Sequence, residues 1–196
     1  MTSRGASPEG LWLLGSIADK VLRASGRPVL LIRAPAISDA IKGKKLFKKI
    51  LLPLDGSRLG EAALPRAVSL AKALGTEIVL FRVTEPPLSA YSGTHMEMSY
   101  EMMVEYERSL KPAVLEYLEN IKASIKGKSL SVSTVSDIGI PADQILDFAR
   151  TNDISLVVMS THGRFGIGKW VFGSVTDKVL HAGDTPVLAV RPHGRR

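Results

Sequence analysis

The chain has 196 residues, 45% hydrophobic and 23% charged, ordinary globular composition that excludes a disordered polypeptide and fits one domain and a fragment. The +7 formal charge taken whole points to nucleic acid or an anionic membrane, yet residues 1–48 hold nine Lys/Arg and three Asp/Glu, residues 49–190 fourteen and sixteen, and the tail three Arg. Zero cysteines exclude disulfides, thiolate metal sites and cysteine nucleophiles, and no apolar run approaches the roughly 18 residues of a membrane span.

The first element is half of an internal repeat. Trp12 to Leu22 matches Trp170 to Leu180 at an offset of 158 residues, and Pro28 to Arg33 falls on Pro186 to Arg191 without a gap. Between positions 12 and 33 there are twelve identities in twenty-two. A period of that size is a domain length, not a solenoid repeat. Residues 1–34 therefore read as the end of a preceding domain, a helix pattern and one strand pattern. Residues 35–45, with Pro35, Gly43 and lysines, read as a linker. Residues 46–192 read as a complete domain and 193–196 as a tail.

The complete copy alternates strand and helix patterns. Ile50 to Leu54 is a continuous apolar strand closed by Asp55-Gly56-Ser57. A helix follows with Leu64, Ala67, Val68, Ala71 and Leu74 on one face, where Pro65 predicts a bend or a late start and Gly75 a stop. Ile78 to Val83 is the second strand. A long helix is expected from Met98 to Lys126 with Tyr106, Leu110, Ala113, Tyr117 and Ile121 facing inward. Leu130 to Val135 is the third strand, more exposed than the others. Pro141 opens a short helix carrying Ala142, Ile145, Leu146 and Ala149. Ile154 to Met159 is the fourth strand, a glycine-rich loop leads into a helix ending near His181, and Val187 to Arg191 is the fifth strand.

This alternation predicts an α/β fold, a doubly wound, Rossmann-like parallel sheet with helices on both faces. Such sheets bind ligands at the carboxyl ends of strands where the winding reverses. The loops after the first and fourth strands are both at carboxyl ends. The second of these, Ser160 to Ser174, has four glycines, Arg164 and Lys169, and runs into a helix N-terminus. Backbone N–H groups and cations there suit an anion or phosphate, and a structural turn explains the same residues equally well. Ser174 either donates to a phosphate oxygen or caps the helix. Asp55 likewise reads as a ligand contact or as turn chemistry. The standard phosphate-loop and dinucleotide fingerprints are absent. His162 has no acid–base partner at recognisable spacing, and no triad or metal cluster is apparent. His95-Met96-Glu97-Met98 with Met102 and Met103 reads as apolar filling.

Ile154 to Val190 resembles the C-terminal signature of the universal stress protein family, and Ile50 to Ser57 resembles its first strand and loop. The ATP-binding signature is G-x2-G-x9-G-[ST]. Gly163, the nine residues Arg164 to Phe172, and Gly173-Ser174 match it, while Ser160 stands at the first glycine. The resemblance implies five parallel strands in the order 3-2-1-4-5. It also implies a nucleotide site of Pro53, Asp55, Val83, Ser160, Gly163, Arg164, Gly173 and Ser174. Within it Asp55 contacts the nucleotide, Val83 borders the adenine, and Gly163, Gly173 and Ser174 hold ribose and phosphates. The expected ligand is ATP, with or without Mg, in a regulatory stress-response protein with at most slow hydrolysis. The alternative is a family member that binds no nucleotide and serves as an interaction or scaffold module. A cytoplasmic location is expected, without nucleic acid or membrane as partner. Family members commonly pair through their last strands, so a homodimer or higher oligomer is expected there. Pro28 to Arg33 is expected to dock beside Val187 to Arg191, in its own chain or a partner's, covering an edge otherwise open to aggregation.

Overall fold

Ile50, Leu51 and Leu52 form an unbroken apolar run because both faces of their strand are covered, and all three are fully buried. The structure, a computed structural model, describes residues 15–32, 47–86, 100–125, 130–162 and 172–192. In chain order the elements are α1 (Ser16–Ala24), β1 (Val29–Leu31), β2 (Lys49–Pro53), a 3-10 turn (Gly60–Ala63), α2 (Leu64–Leu74), β3 (Glu77–Thr84) and α3 (Tyr100–Ser124). They continue with β4 (Val132–Ile138), α4 (Pro141–Thr151), β5 (Leu156–Ser160), α5 (Ser174–Ala182) and β6 (Val187–Val190).

One sheet contains all six strands in the order β1-β6-β5-β2-β3-β4. Strands β2 to β6 pair in parallel, and counted from β2 they follow the order 3-2-1-4-5. The expectation of a five-stranded, wholly parallel sheet needs one correction. A sixth strand, β1, pairs antiparallel with β6, which makes the sheet mixed. Without it, β6 would present a row of unpaired backbone groups along an apolar edge.

Alternate residues of each strand feed two cores. On one face Leu51, Val79, Phe81, Val157 and Met159 pack with Ala18 and Leu22 of α1, Ala142, Ile145 and Ala149 of α4, and Val179 and Leu180 of α5. Phe81 and Phe148 stack there with ring centroids 4.6 Å apart. On the other face Ile50, Leu52, Ile78, Leu80, Leu156 and Val158 pack with Ala67 and Ala71 of α2 and Val114 and Leu118 of α3.

Pro65 behaves as expected of a late start. The chain enters by the 3-10 turn, the α-helix begins at Leu64, and Pro65 falls in its first turn, where its missing N–H costs no bond. The third strand needs a shift, from Leu130–Val135 to Val132–Ile138. It is an edge strand of intermediate burial throughout, so its polar residues Ser133, Ser136 and Asp137 hid its length. Register against β3 carries it on to the pair Thr84↔Ile138. The inward stripe of α3 is corrected in part, for Tyr117 and Ile121 do pack against the sheet-side core. Its deepest residues are Val114 and Leu118, while Ala113 is exposed. The adjoining row Tyr106, Leu110, Ala113 and Tyr117 overhangs the strand ends and lines a cleft.

The expected docking of the segment from Pro28 to Arg33 occurs within the chain itself, with Val29, Leu30 and Leu31 opposite Ala189, Leu188 and Val187, while Arg33 lies outside the described residues. Displaced by 158 residues, the bounds of α1 fall on those of α5. Arg191 Nη1 donates to the carbonyls of Arg23 and Ser25 at 3.3 and 3.4 Å, tying the two copies together. The proposed linker at 35–45, the tail and residues 1–5 lie outside the described residues.

Candidate functional site

The winding reverses between β2 and β5. From β2 the chain adds β3 and β4 on one side, then crosses back to place β5 and β6 on the other. At the carboxyl ends of these two strands lies a cavity of about 710 Å³, within the range of small-molecule sites, roughly 300–1,000 Å³. Pro53, Asp55, Val83, Ser160, Gly173 and Ser174 all line it. Gly163 and Arg164 lie outside the described residues.

The floor after β2 is built by Asp55. Its Oδ1 accepts the backbone N–H of Ser57 at 2.9 Å and the Ser57 hydroxyl at 2.7 Å. Ser57 Oγ in turn accepts the N–H of Gly60 at 3.0 Å. Turn chemistry and a position in the cleft are thus both true of Asp55. Two glycines let this loop close. Gly56 has φ +81°, and a Cβ there would strike the Arg82 guanidinium; a Cβ on Gly60 would strike Asp55 Oδ1.

The opposite wall comes from the end of β5 and the start of α5. Ser160 is buried, and its Oγ accepts the His162 N–H at 3.3 Å. Thr176 donates its hydroxyl to the Ser160 carbonyl at 2.8 Å, fixing the first turn of α5 to the strand end. Gly173 is the N-cap of α5 and the helix has no side-chain cap. Ser174 is its first residue, so the capping alternative for Ser174 does not hold. The first-turn N–H groups of a helix carry a partial positive charge, and here that turn borders the cavity.

Sequence reasoning missed the third wall. Arg82 of β3 lies over the Tyr117 ring, 4.9 Å from its centroid. The Tyr117 hydroxyl donates to Glu61 Oε1 at 3.0 Å. Burial, and then the Glu61 carboxylate, push the Tyr117 phenol well above its ordinary value, so it stays protonated. A lone arginine in the apolar run Ile78–Val83 was the one signal available. Beside His162, Thr161 Oγ1 lies 2.9 Å from the imidazole Nδ1. Among the described residues, no three His, Asp or Glu side chains gather to hold a metal, and no helix is long and apolar enough to cross a membrane.

A family model described as the Universal stress protein family matches residues 46–191. The chain is 32% identical over 149 residues to universal stress protein MJ0531 of Methanocaldococcus jannaschii, covering 76% of this chain and 85% of that one. It is similar in fold to a solved universal stress protein from Archaeoglobus fulgidus, with a TM-score of 0.67 and 22% identity. That match covers 96% of this chain and 60% of the other. It also resembles a universal stress protein solved in complex with cAMP, with a TM-score of 0.51 and 19% identity, over 74% of this chain and 97% of that one.

Proposed function

The chain belongs to the universal stress protein family, and from that premise we propose that it is a cytoplasmic regulatory protein whose cleft holds a nucleotide, ATP. The observation that carries this is the meeting, in one cavity at the switch point, of Asp55, Val83 and the uncapped start of α5. In this reading Asp55 and Pro53 face the nucleoside, and Val83 borders the base. Ser160, Gly173 and Ser174 take ribose and phosphates on backbone and hydroxyl donors, with Gly163 and Arg164 completing the set and Mg as an optional companion of the phosphates. A relative's complex with cAMP supports a nucleotide as the ligand class.

Hydrolysis is at most slow in this account. Asp55 Oδ1 holds the Ser57 turn and Glu61 Oε1 accepts the Tyr117 hydroxyl, structural roles that support binding over hydrolysis. The protein acts by holding the nucleotide, not by consuming it.

A second reading, an interaction module without nucleotide, is favoured by Ser160. Its hydroxyl is already bonded to the His162 N–H at the first position of the glycine signature. Equilibrium dialysis against ATP, cAMP and inorganic phosphate separates the two. Retention of ATP above phosphate supports the nucleotide site, and retention of none of the three supports the module.

A further inference from the structure

We infer that the seam between the two copies carries a second binding site, outside the nucleotide cleft, for a phosphoryl oxyanion held by Arg27, Arg191 and Thr161. Where α1 and β1 meet the carboxyl ends of β5 and β6, a small pocket is lined by Arg23, Arg27, Arg191, Thr161 and His162, with no carboxylate among the described residues of its wall. Its positive charge is only partly balanced. Arg23 is committed to Asp19 and Asp177, whereas among the described residues no carboxylate pairs with Arg27 or Arg191. The internal repeat separates these cations from packing that the two copies share. Five lining residues come from the first copy, and the 158-residue offset gives each a counterpart. Leu22 and Val29 correspond to Leu180 and Val187, so the apolar positions are the same in both copies. Arg23, Ser25 and Arg27 correspond to His181, Gly183 and Thr185. Only the polar positions differ, and two of the three differences add a permanently charged guanidinium.

The turn that carries Arg27 is held from two sides. Ser25 Oγ donates to the Arg27 carbonyl and accepts the Arg27 N–H, each at 3.2 Å. From the end of β6, Arg191 Nη1 donates to the Arg23 and Ser25 carbonyls. Thr161 stands on the facing wall and is buried. Its N–H donates to the Val190 carbonyl at 2.8 Å and its carbonyl accepts the Gly173 N–H at 3.0 Å, so its hydroxyl is fixed in depth. The enclosed space is about 10 Å³, room for one water-sized group. A whole nucleotide does not fit, but a single phosphoryl oxygen does, with the other oxygens left to the exposed Arg27 guanidinium at the mouth. His162 lines both this pocket and the nucleotide cleft. The phosphoryl group therefore has two sources, the far phosphates of a nucleotide in the cleft or a separate phosphate ion. The first source rests on the nucleotide reading and the second does not.

Calorimetric titration of the full chain with inorganic phosphate, and separately with ATP, tests the site. Arg27→Gln should weaken the binding of phosphate, of ATP, or of both by about tenfold. Arg27→Thr, which installs the residue of the complete copy, should do the same. Arg66→Gln removes an exposed cation from α2 and should change neither affinity, which separates a local contact from the general field of the protein. Weakening of phosphate that persists in the Gly173→Arg background identifies a separate ion, and weakening confined to ATP identifies the far phosphates of the nucleotide. Arg27-dependent phosphate binding in a chain that binds no nucleotide keeps this site and removes the nucleotide reading. Equal weakening by Arg27→Gln and Arg66→Gln overturns the inference. So does unchanged binding of both ligands in Arg27→Gln, or a wild type that binds neither.

Discussion

Asp19 and Asp177, 158 positions apart and equivalent in the internal repeat, share the guanidinium of Arg23. Arg23 Nε lies 2.8 Å from Asp19 Oδ1 and Nη2 lies 3.0 Å from Asp177 Oδ1. The same guanidinium sits 4.8 Å from the Phe172 ring centroid. The two carboxylates hold its pKa above the ordinary arginine value, the Asp19 hydrogen bond contributing most. Arginine is already fully charged at neutral pH, so this bears on geometry and not on titration.

Arg23→Gln therefore removes two half-exposed ion pairs and one ring contact. It should cost about 1 kcal/mol in urea denaturation at low salt. The gap should narrow at high salt, where exposed pairs are screened.

The repeat supplies its own control for packing. Val179 is buried against α4, while its counterpart Val21 is 40% exposed, with no equivalent of α4 beside α1 among the described residues. Val179→Ser should cost about 2–4 kcal/mol, and Val21→Ser should fall within about 0.5 kcal/mol of the parent. Parallel denaturation curves decide it.

Gly60 is buried against Asp55, and Gly26 has open space around it. Gly60→Ala should cost about 1–3 kcal/mol by forcing Asp55 Oδ1 out of its turn. Gly26→Ala should be neutral or mildly stabilising. Equal effects at the two positions would show that Asp55 is not locked as described.

Tyr117 gives a pH prediction with a definite sign. Its phenol pKa is raised by burial and by Glu61, so the stabilisation belongs to the protonated form. It is fully present below the unfolded phenol value, about 10, and is lost as pH climbs toward the folded value. Relative to Tyr117→Phe, the wild type should be more stable by about 1 kcal/mol at neutral pH. That advantage should shrink as pH rises past about 10, as read by urea midpoints across the range.

These contacts mark what the sequence made legible. The central strands could be read because burial on both faces leaves no polar alternation in Ile50–Leu52 or Leu156–Met159. The strand order, beyond a doubly wound sheet, came from resemblance, and for β2 to β6 it holds. The α3 stripe was misread in part because two neighbouring rows are both apolar. The rows overlap in space: Val114 both enters the sheet-side core and lines the cleft, and Tyr117 does the same from the neighbouring row, while Leu118 is fully buried. Local turn and helix-start chemistry singled out Asp55 and Gly173-Ser174 but left ligand contact and structural turn both open, and the family resemblance chose between them. The Arg82–Tyr117–Glu61 wall was not, because it joins three segments far apart in the chain. Whether Pro28 to Arg33 docks in its own chain or a partner's was equally closed to a linear reading.

The central claim is that the start of α5 and the Asp55 turn form a nucleotide site, and calorimetric titration with ATP and Mg tests it most directly. Gly173 has φ −60° and ψ 145°, a conformation open to any residue, so Gly173→Arg can fill the phosphate position without backbone strain. The account predicts saturable heat with the wild type at or below millimolar ATP, and its loss in Gly173→Arg with an unchanged thermal midpoint. No heat with the wild type at millimolar ATP, or equal heat from both proteins, would contradict it.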